Sequence, residues 1–243
     1  MNRIVILGVP IDSVSRVEAV EKIRAMLGGP AQCHVMTPNN EMLVEASGNP
    51  DFRALLNRTA LNIPDSTGLL WAARWTNQKL PERVTGVDTV QALCASLDET
   101  SPVFLLGGAE GIAWRASAVL RAANSNLKIV GTHAGSPKDE DAKGIIDRIN
   151  VSGAKLLLVA YGSPAQDLWI DAHLKQMPSV RVAMGIGGTF DFLAGAQKRA
   201  PAWMRDMGLE WLYRFVQQPS RWKRMWKAVV VFPWMVIKSG NPR

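Results

Sequence analysis

Short apolar runs alternate with longer amphipathic stretches through the first 196 residues of the chain. That alternation is the mark of βα units, and it predicts an α/β fold built on a largely parallel sheet. The runs Ile4 to Leu7, Cys33 to Met36, Ala60 to Ile63, Val103 to Leu106, Lys128 to Gly131, Lys155 to Ala160 and Val180 to Gly185 read as strands. Helices fill the gaps. Ser13 is the expected cap of Arg16 to Leu27, and Asn40 or a neighbour that of Glu41 to Ser47. Asp88 precedes Thr89 to Leu97, Gly111 opens Ile112 to Ala123, and Asp139 leads into Ala142 to Asn150. Pro201 ends the alternation, and from there the chain reads as helical. At 243 residues and 47 % hydrophobic content, it fits one core domain, residues 1–196, with an appendage, residues 197–243.

Charge separates the same two parts. Residues 1–196 carry 18 basic and 19 acidic side chains, whereas residues 197–243 carry 10 basic and 2 acidic ones. The appendage also holds five of the nine tryptophans, Trp203, Trp211, Trp222, Trp226 and Trp234. Cations interleaved with indoles suit an anionic membrane surface, because Lys and Arg attract lipid phosphates while tryptophan settles at headgroup depth. The apolar stretch Ala228 to Ile237 is ten residues long with Pro233 inside it; it can lie in an interface but is too short to span one. The apolar run near the N-terminus is too short for a signal peptide or a spanning helix, which points to the cytoplasm. Cys33 and Cys94 lack a CxxC spacing, and His34, His133 and His173 lack a metal-ligand spacing, so neither a disulfide framework nor a metal site is expected. No recognisable RNA or DNA module accompanies the basic residues, so no nucleic-acid partner is expected.

Several strand ends carry polar or glycine-rich turns, and the carboxyl edge of an α/β sheet is where ligands bind. Gly185, Gly187, Gly188 and Asp191 follow the last strand, where glycines let backbone N–H groups approach phosphate oxygens. The turn Gly107-Gly108-Ala109-Glu110-Gly111 resembles the start of a nucleotide-binding βαβ unit, but its spacing is GGxxG and no acidic residue follows the next strand, which disfavours a nicotinamide enzyme. Thr37, Asn39 and Asn40 follow one strand and Asp65 another. Asp65 has two readings: a cap for a helix starting near Thr67, or a partly desolvated carboxylate acting as general base. Gln166, in the first turn after Gly162-Ser163-Pro164, either caps or hydrogen-bonds a sugar or phosphate. In the appendage Arg214, Arg221 and Arg224 can share a helical face suited to a pyrophosphate.

In order along the chain stand Thr37-Pro38-Asn39, Pro64-Asp65-Ser66, Arg83-Val84-Thr85-Gly86-Val87-Asp88, Leu105-Leu106-Gly107-Gly108, Gly162-Ser163-Pro164-Ala165-Gln166, Gly185-Ile186-Gly187-Gly188-Thr189-Phe190-Asp191, and an RAP…EWxYR…PxR ending from Arg199 to Arg221. This series resembles the WecG/TagA/CpsF family of bacterial glycosyltransferases along nearly the whole chain. The resemblance implies a Rossmann-like core and metal-independent, inverting transfer from a UDP-sugar, often UDP-N-acetylmannosamine or its uronic acid. It implies an undecaprenyl-diphosphate-linked acceptor and work at the inner face of the cytoplasmic membrane, with no cofactor. Asp65 is then the expected base, Thr37 and Asn39 line its pocket, and Arg83 and Gln166 position donor or acceptor. The Gly185 to Gly188 loop receives the diphosphate with Asp191 near the nucleoside, and Arg214, Arg221 and Arg224 hold the lipid pyrophosphate. Ala165 stands where Lys is common in the family, Asp167 where Glu is common, and Ser66 where glycine is frequent; these departures leave the reaction class in place and the sugar open. A non-catalytic nucleotide-sugar-binding protein is the alternative, and association of copies through the apolar tail is a further expectation.

Overall fold

The computed structural model of the chain describes residues 2–239, and at Asp206 and Arg221 the backbone alone. Eight strands form two sheets: β1 (Arg3–Ile6), β2 (Val9–Asp12), β3 (Cys33–Met36), β4 (Leu61–Asn62), β5 (Val103–Gly107), β6 (Ile129–His133), β7 (Leu156–Ala160) and β8 (Val182–Gly185). The larger sheet has the order β4-β3-β8-β7-β5-β6, and its pairings are parallel throughout. Alternate residues of its inner strands face opposite helical layers. Leu105, Leu158 and Met184 pack toward the helices Arg16–Gly28, Gly86–Ser96 and Ile112–Ala123, while Leu106, Leu157 and Ala183 pack toward Asp139–Ser152 and Ala165–His173. Burial on both faces explains why these strands read as continuous apolar runs.

The first run is a strand, but it pairs outside the large sheet. β1 and β2 form an antiparallel hairpin, turned by Leu7 and Gly8 at φ 51° and 76°. Pro10 and Asp12 disguise β2 in the sequence. Asp12 is buried and accepts from Arg3 Nε at 2.9 Å, Arg3 Nη2 at 3.1 Å and the Asn62 backbone N–H at 2.8 Å. Asn62 Nδ2 in turn donates to Pro10 O and Leu56 O. The hairpin thereby fixes β4, whose outgoing loop carries Asp65.

Helix starts differ from the expected caps in instructive ways. Ser15, not Ser13, caps Arg16–Gly28, in a reciprocal capping box with Glu18. Asn39 caps Asn40–Gly48, and Asn49 caps Pro50–Arg58. The helix expected from Thr89 begins three residues earlier, at Gly86, with Thr85 as its cap. Ser66 caps Thr67–Trp75, its Oγ accepting from the Leu69 N–H at 3.3 Å. Asp65 is therefore not a cap, and its carboxylate is left for other work.

Beyond Pro201 the helices Ala202–Asp206, Glu210–Gln217, Trp222–Trp226 and Phe232–Lys238 fold back over the carboxyl edge of the sheet, with a π-helical turn at Lys227–Val231. Phe232 and Val236 are buried in the cluster that contains Met36, Met42 and Leu43. Asn40 Nδ2 donates 2.9 Å to the Ala228 carbonyl, within the π turn. Pro233 lies inside a helical run that continues without a break from Trp222 through the π turn to Lys238, where its missing N–H removes one bond of the backbone ladder. Among the described residues no helix is long and apolar enough to cross a membrane.

Candidate active site

Two cavities meet beneath the appendage. The larger, about 430 Å³, opens over the carboxyl ends of β3, β7 and β8 and is lined by Thr37, Asn39, Asp65, Gln166, Gly187, Gly188, Asp191, Arg199, Arg214 and Arg224, among others. The smaller, about 160 Å³, lies between Asp65, Arg83 and the apolar side of the tail, with Trp211, Met225, Ala228 and Val229 in its wall. Asn39, Asp65, Glu210 and Arg214 line both.

Asp65 is held from two sides. Its N–H donates 2.9 Å to Pro38 O, and Pro64 O accepts from the Val84 N–H at 2.9 Å, so the loops after β3 and before Gly86–Ser96 clamp it. The Gly86 N–H donates 3.1 Å to Asp65 Oδ2. Burial pushes the carboxyl up to about 6, against the opposing pull of Arg83, the Gly86 N–H and Arg214; Glu210 adds to the rise. An aspartate in that range is ionised at neutral pH and is a stronger base than a solvated one.

Around it stands a network of cations and carboxylates. Glu210 is 4 % exposed and accepts from Arg83 Nη2 at 2.7 Å and from Arg214 Nη2 at 2.6 Å. Burial alone would raise its carboxyl, but the two arginines outweigh that and hold it below the usual range. Arg214 also lies over the Phe192 ring, 4.9 Å from its centre. Arg199 forms a two-point pair with Asp88, at 2.6 and 3.2 Å, and Thr85 donates to the same carboxylate at 2.6 Å. Burial opposes ionisation of Asp88, and these partners overcome it.

The glycine loop after β8 is positioned by Gln166. This side chain is 3 % exposed, and its Oε1 accepts from the Gly162 N–H at 3.2 Å and the Gly187 N–H at 2.9 Å. Its carbonyl thus ties two strand-end loops together, with no capping bond at its own helix start. Gly185 lies behind the cleft: a Cβ there would come within 2.2 Å of buried Asp167. The turn after β5 is a packing device too. Gly107, at φ 103°, leaves no room for a Cβ against the Ala160 backbone, and neither it nor Gly108 lines the cleft.

Of the residues picked out in sequence, Thr37, Asn39, Asp65, Gln166, Gly187, Gly188, Asp191, Arg214 and Arg224 come together on the larger cavity, and Arg83 joins Asp65 on the smaller. Arg224 sits at the rim, paired with Glu41 at 2.6 Å. The Arg221 side chain lies outside the described residues. Sequence reasoning passed over Glu210, Arg199 and Asp88 as site residues. The spacing of Glu210 four residues before Arg214, in a segment with only one other acid, is the signal that could have found it.

A model of the glycosyl transferase WecG/TagA/CpsF family matches residues 4–243, nearly the whole chain. The chain belongs to that family. Members are glycosyltransferases of cell-surface polysaccharide synthesis, which use a nucleotide-sugar donor and a lipid-linked acceptor. In this glycosyltransferase Asp65 lines both cavities.

Proposed function

We propose that the protein transfers an N-acetylhexosamine-type sugar, with N-acetylmannosamine or its uronic acid favoured, from a UDP-sugar to an undecaprenyl-diphosphate-linked acceptor. The observation that carries this reading is the position of Asp65, a partly buried carboxylate lining both a polar cleft and a smaller, partly apolar one. The UDP-sugar occupies the larger cleft, its diphosphate near the Gly187–Gly188 loop and its nucleoside near Asp191. The acceptor enters through the smaller cavity past Trp211, Met225 and Val229, which suit a lipid-linked molecule. Asp65 takes the proton from the acceptor hydroxyl, the resulting oxygen forms a bond to the anomeric carbon, and the bond to the UDP oxygen breaks on the opposite face, inverting the configuration. Negative charge gathering on UDP is met by Arg199, Arg214 and Arg224, so that fixed cations do this work without a metal ion.

The described part of the appendage, residues 197–239, covers this site and bears on the membrane. Trp203, Trp222, Trp226 and Trp234 are exposed and interleaved with Lys223, Arg224, Lys227 and Lys238, the arrangement an anionic bilayer recognises. Such a contact suits the inner face of the cytoplasmic membrane, where the lipid-linked acceptor is held. Transfer from UDP-N-acetylmannosamine to a synthetic lipid-diphosphate-N-acetylglucosamine, in detergent with EDTA, tests the reading. Product from the native protein and about 10²- to 10⁴-fold slower formation by Asp65→Asn is the expected result. Equal turnover by both would remove Asp65 as base, and no product with any UDP-hexosamine would overturn the donor assignment.

A further inference from the structure

One nitrogen stands between two carboxylates. Arg83 Nη2 lies 2.7 Å from Glu210 Oε2 and 3.9 Å from Asp65 Oδ1. The first is a charge-assisted hydrogen bond, and the second is beyond hydrogen-bonding range. Arg83 and Asp65 both belong to the core, on neighbouring loops joined by the Val84–Pro64 and Gly86–Asp65 bonds, whereas Glu210 arrives with the appendage. The other oxygen of Glu210 takes Arg214, through Nη2 at 2.6 Å and Nε at 3.2 Å. Both oxygens of this buried carboxylate are thus spent on Arg83 and Arg214, the two arginines that pull on Asp65.

We propose that Glu210 is a positioning residue that draws Arg83 and Arg214 away from Asp65, so that seating the appendage and freeing the base are a single event. Without Glu210, Arg83 has one carboxylate within reach, and it pairs with Asp65. A base paired in that way loses proton affinity and the lone pair that must face the acceptor hydroxyl. With Glu210 in place, the arginines remain in the site as cations for phosphate oxygens while Asp65 keeps only the longer 3.9 Å contact with Arg83 and no hydrogen bond from it. The charged groups around Asp65 agree: Arg83 and Arg214 pull its carboxyl down, Glu210 pushes it up, and Arg199, held by Asp88, feels both carboxylates. The inference rests on Asp65 being the base.

The test is a carbon-13 NMR titration of side-chain carboxyls in the full chain, with Asp65 assigned through Asp65→Asn. In the native protein Glu210 is expected to remain ionised across the pH range in which Asp65 titrates. In Glu210→Gln the Asp65 midpoint is expected to move to lower pH, and kcat at pH 7.5 to fall roughly 10- to 100-fold with donor KM little changed. A purely structural Glu210 would lower the melting temperature and leave the Asp65 midpoint where it is. An unmoved or raised midpoint overturns the proposal, as does a native Glu210 that titrates in step with Asp65; the latter reading stands even if the variant does not fold. Because the titration needs no substrate, its failure is distinct from a failure of the transferase reading, which would appear as a native protein without product.

Discussion

Arg83 approaches Asp65 to 3.9 Å and stops there, its nearer partner being Glu210. A carboxylate beside a guanidinium usually pairs with it and becomes a poor base. Here the carboxyl is raised to about 6, first by burial and only partly offset by Arg83. The substitution Asp65→Asn keeps the shape and an oxygen for the Gly86 N–H while removing the proposed base. We expect kcat to fall about 10²- to 10⁴-fold, the usual worth of a positioned general base, with UDP binding by calorimetry unchanged. Loss of UDP affinity in step with turnover would instead mark Asp65 as a binding residue.

As the proposed base, the same carboxyl should set the pH profile. A base must be ionised to work, so kcat/KM is expected to fall as pH drops through about 6, with one proton taken up on the acid limb. An ordinary solvated aspartate would place that limb near 4. Initial rates between pH 4.5 and 8.5 distinguish the two.

Stability moves the other way. Asp65 binds its proton more tightly folded than unfolded, so the folded state is penalised as pH rises from about 4 to about 6 and stays penalised above. The shift from 3.8 to about 6 corresponds to at most about 3 kcal/mol. Asp65→Asn should therefore melt higher than the native protein at pH 8, by about 2–4 °C for each kcal/mol recovered, and the gap should close below pH 4. A variant less stable at pH 8 would show that the ionised carboxylate is a net structural support.

Gln166 makes a different prediction. Its Oε1 is the shared acceptor of the Gly162 and Gly187 N–H groups. Gln166→Ala leaves both donors without that partner, at a cost of about 1–3 kcal/mol for each one kept from water. The glycine loop loosens at the cleft, so donor KM should rise more than kcat falls. Gln166→Glu, which keeps the acceptor, should restore much of the affinity, and a loss of kcat alone would point to direct contact with the reacting groups.

The parallel strands were legible because their burial on both faces leaves unbroken apolar runs, as in Leu156 to Val159. β2 was hidden because its stability lies in distant partners: Asp12 is an acceptable strand residue only once Arg3 and Asn62 satisfy it. Asp65 and Ser66 show the limit of local rules. Either could cap the helix that follows, and the structure gives the bond to Ser66. Glu210 reads in sequence as one charge on an amphipathic helix, because its meaning depends on Arg83, 127 residues away. The strand-end residues were found because the sheet gathers its carboxyl edge in one place, whereas a charge network that joins core to appendage shows in sequence only its local half, Glu210 four residues before Arg214.

The exposed face of the appendage supports the last prediction. Trp222, Trp226 and Trp234 are each more than half exposed, and none of them lines either cavity beside Asp65. Lys223 and Lys238 lie over the rings of Trp222 and Trp234, so cations stand beside indoles as the proposed membrane contact requires. Replacing the three tryptophans by serine should abolish co-sedimentation with vesicles containing anionic phospholipid. Binding by the native protein should weaken as salt is raised but persist in part, because indole insertion is not screened. Activity on a short-chain, detergent-soluble acceptor should stay within about twofold of native, since none of the three side chains lines the site and exposed substitutions of that kind cost little. Activity on a long-chain acceptor in vesicles should collapse. If both activities fell together, the tryptophans would be acting on the fold or on the site itself, and the membrane reading of this face would be wrong.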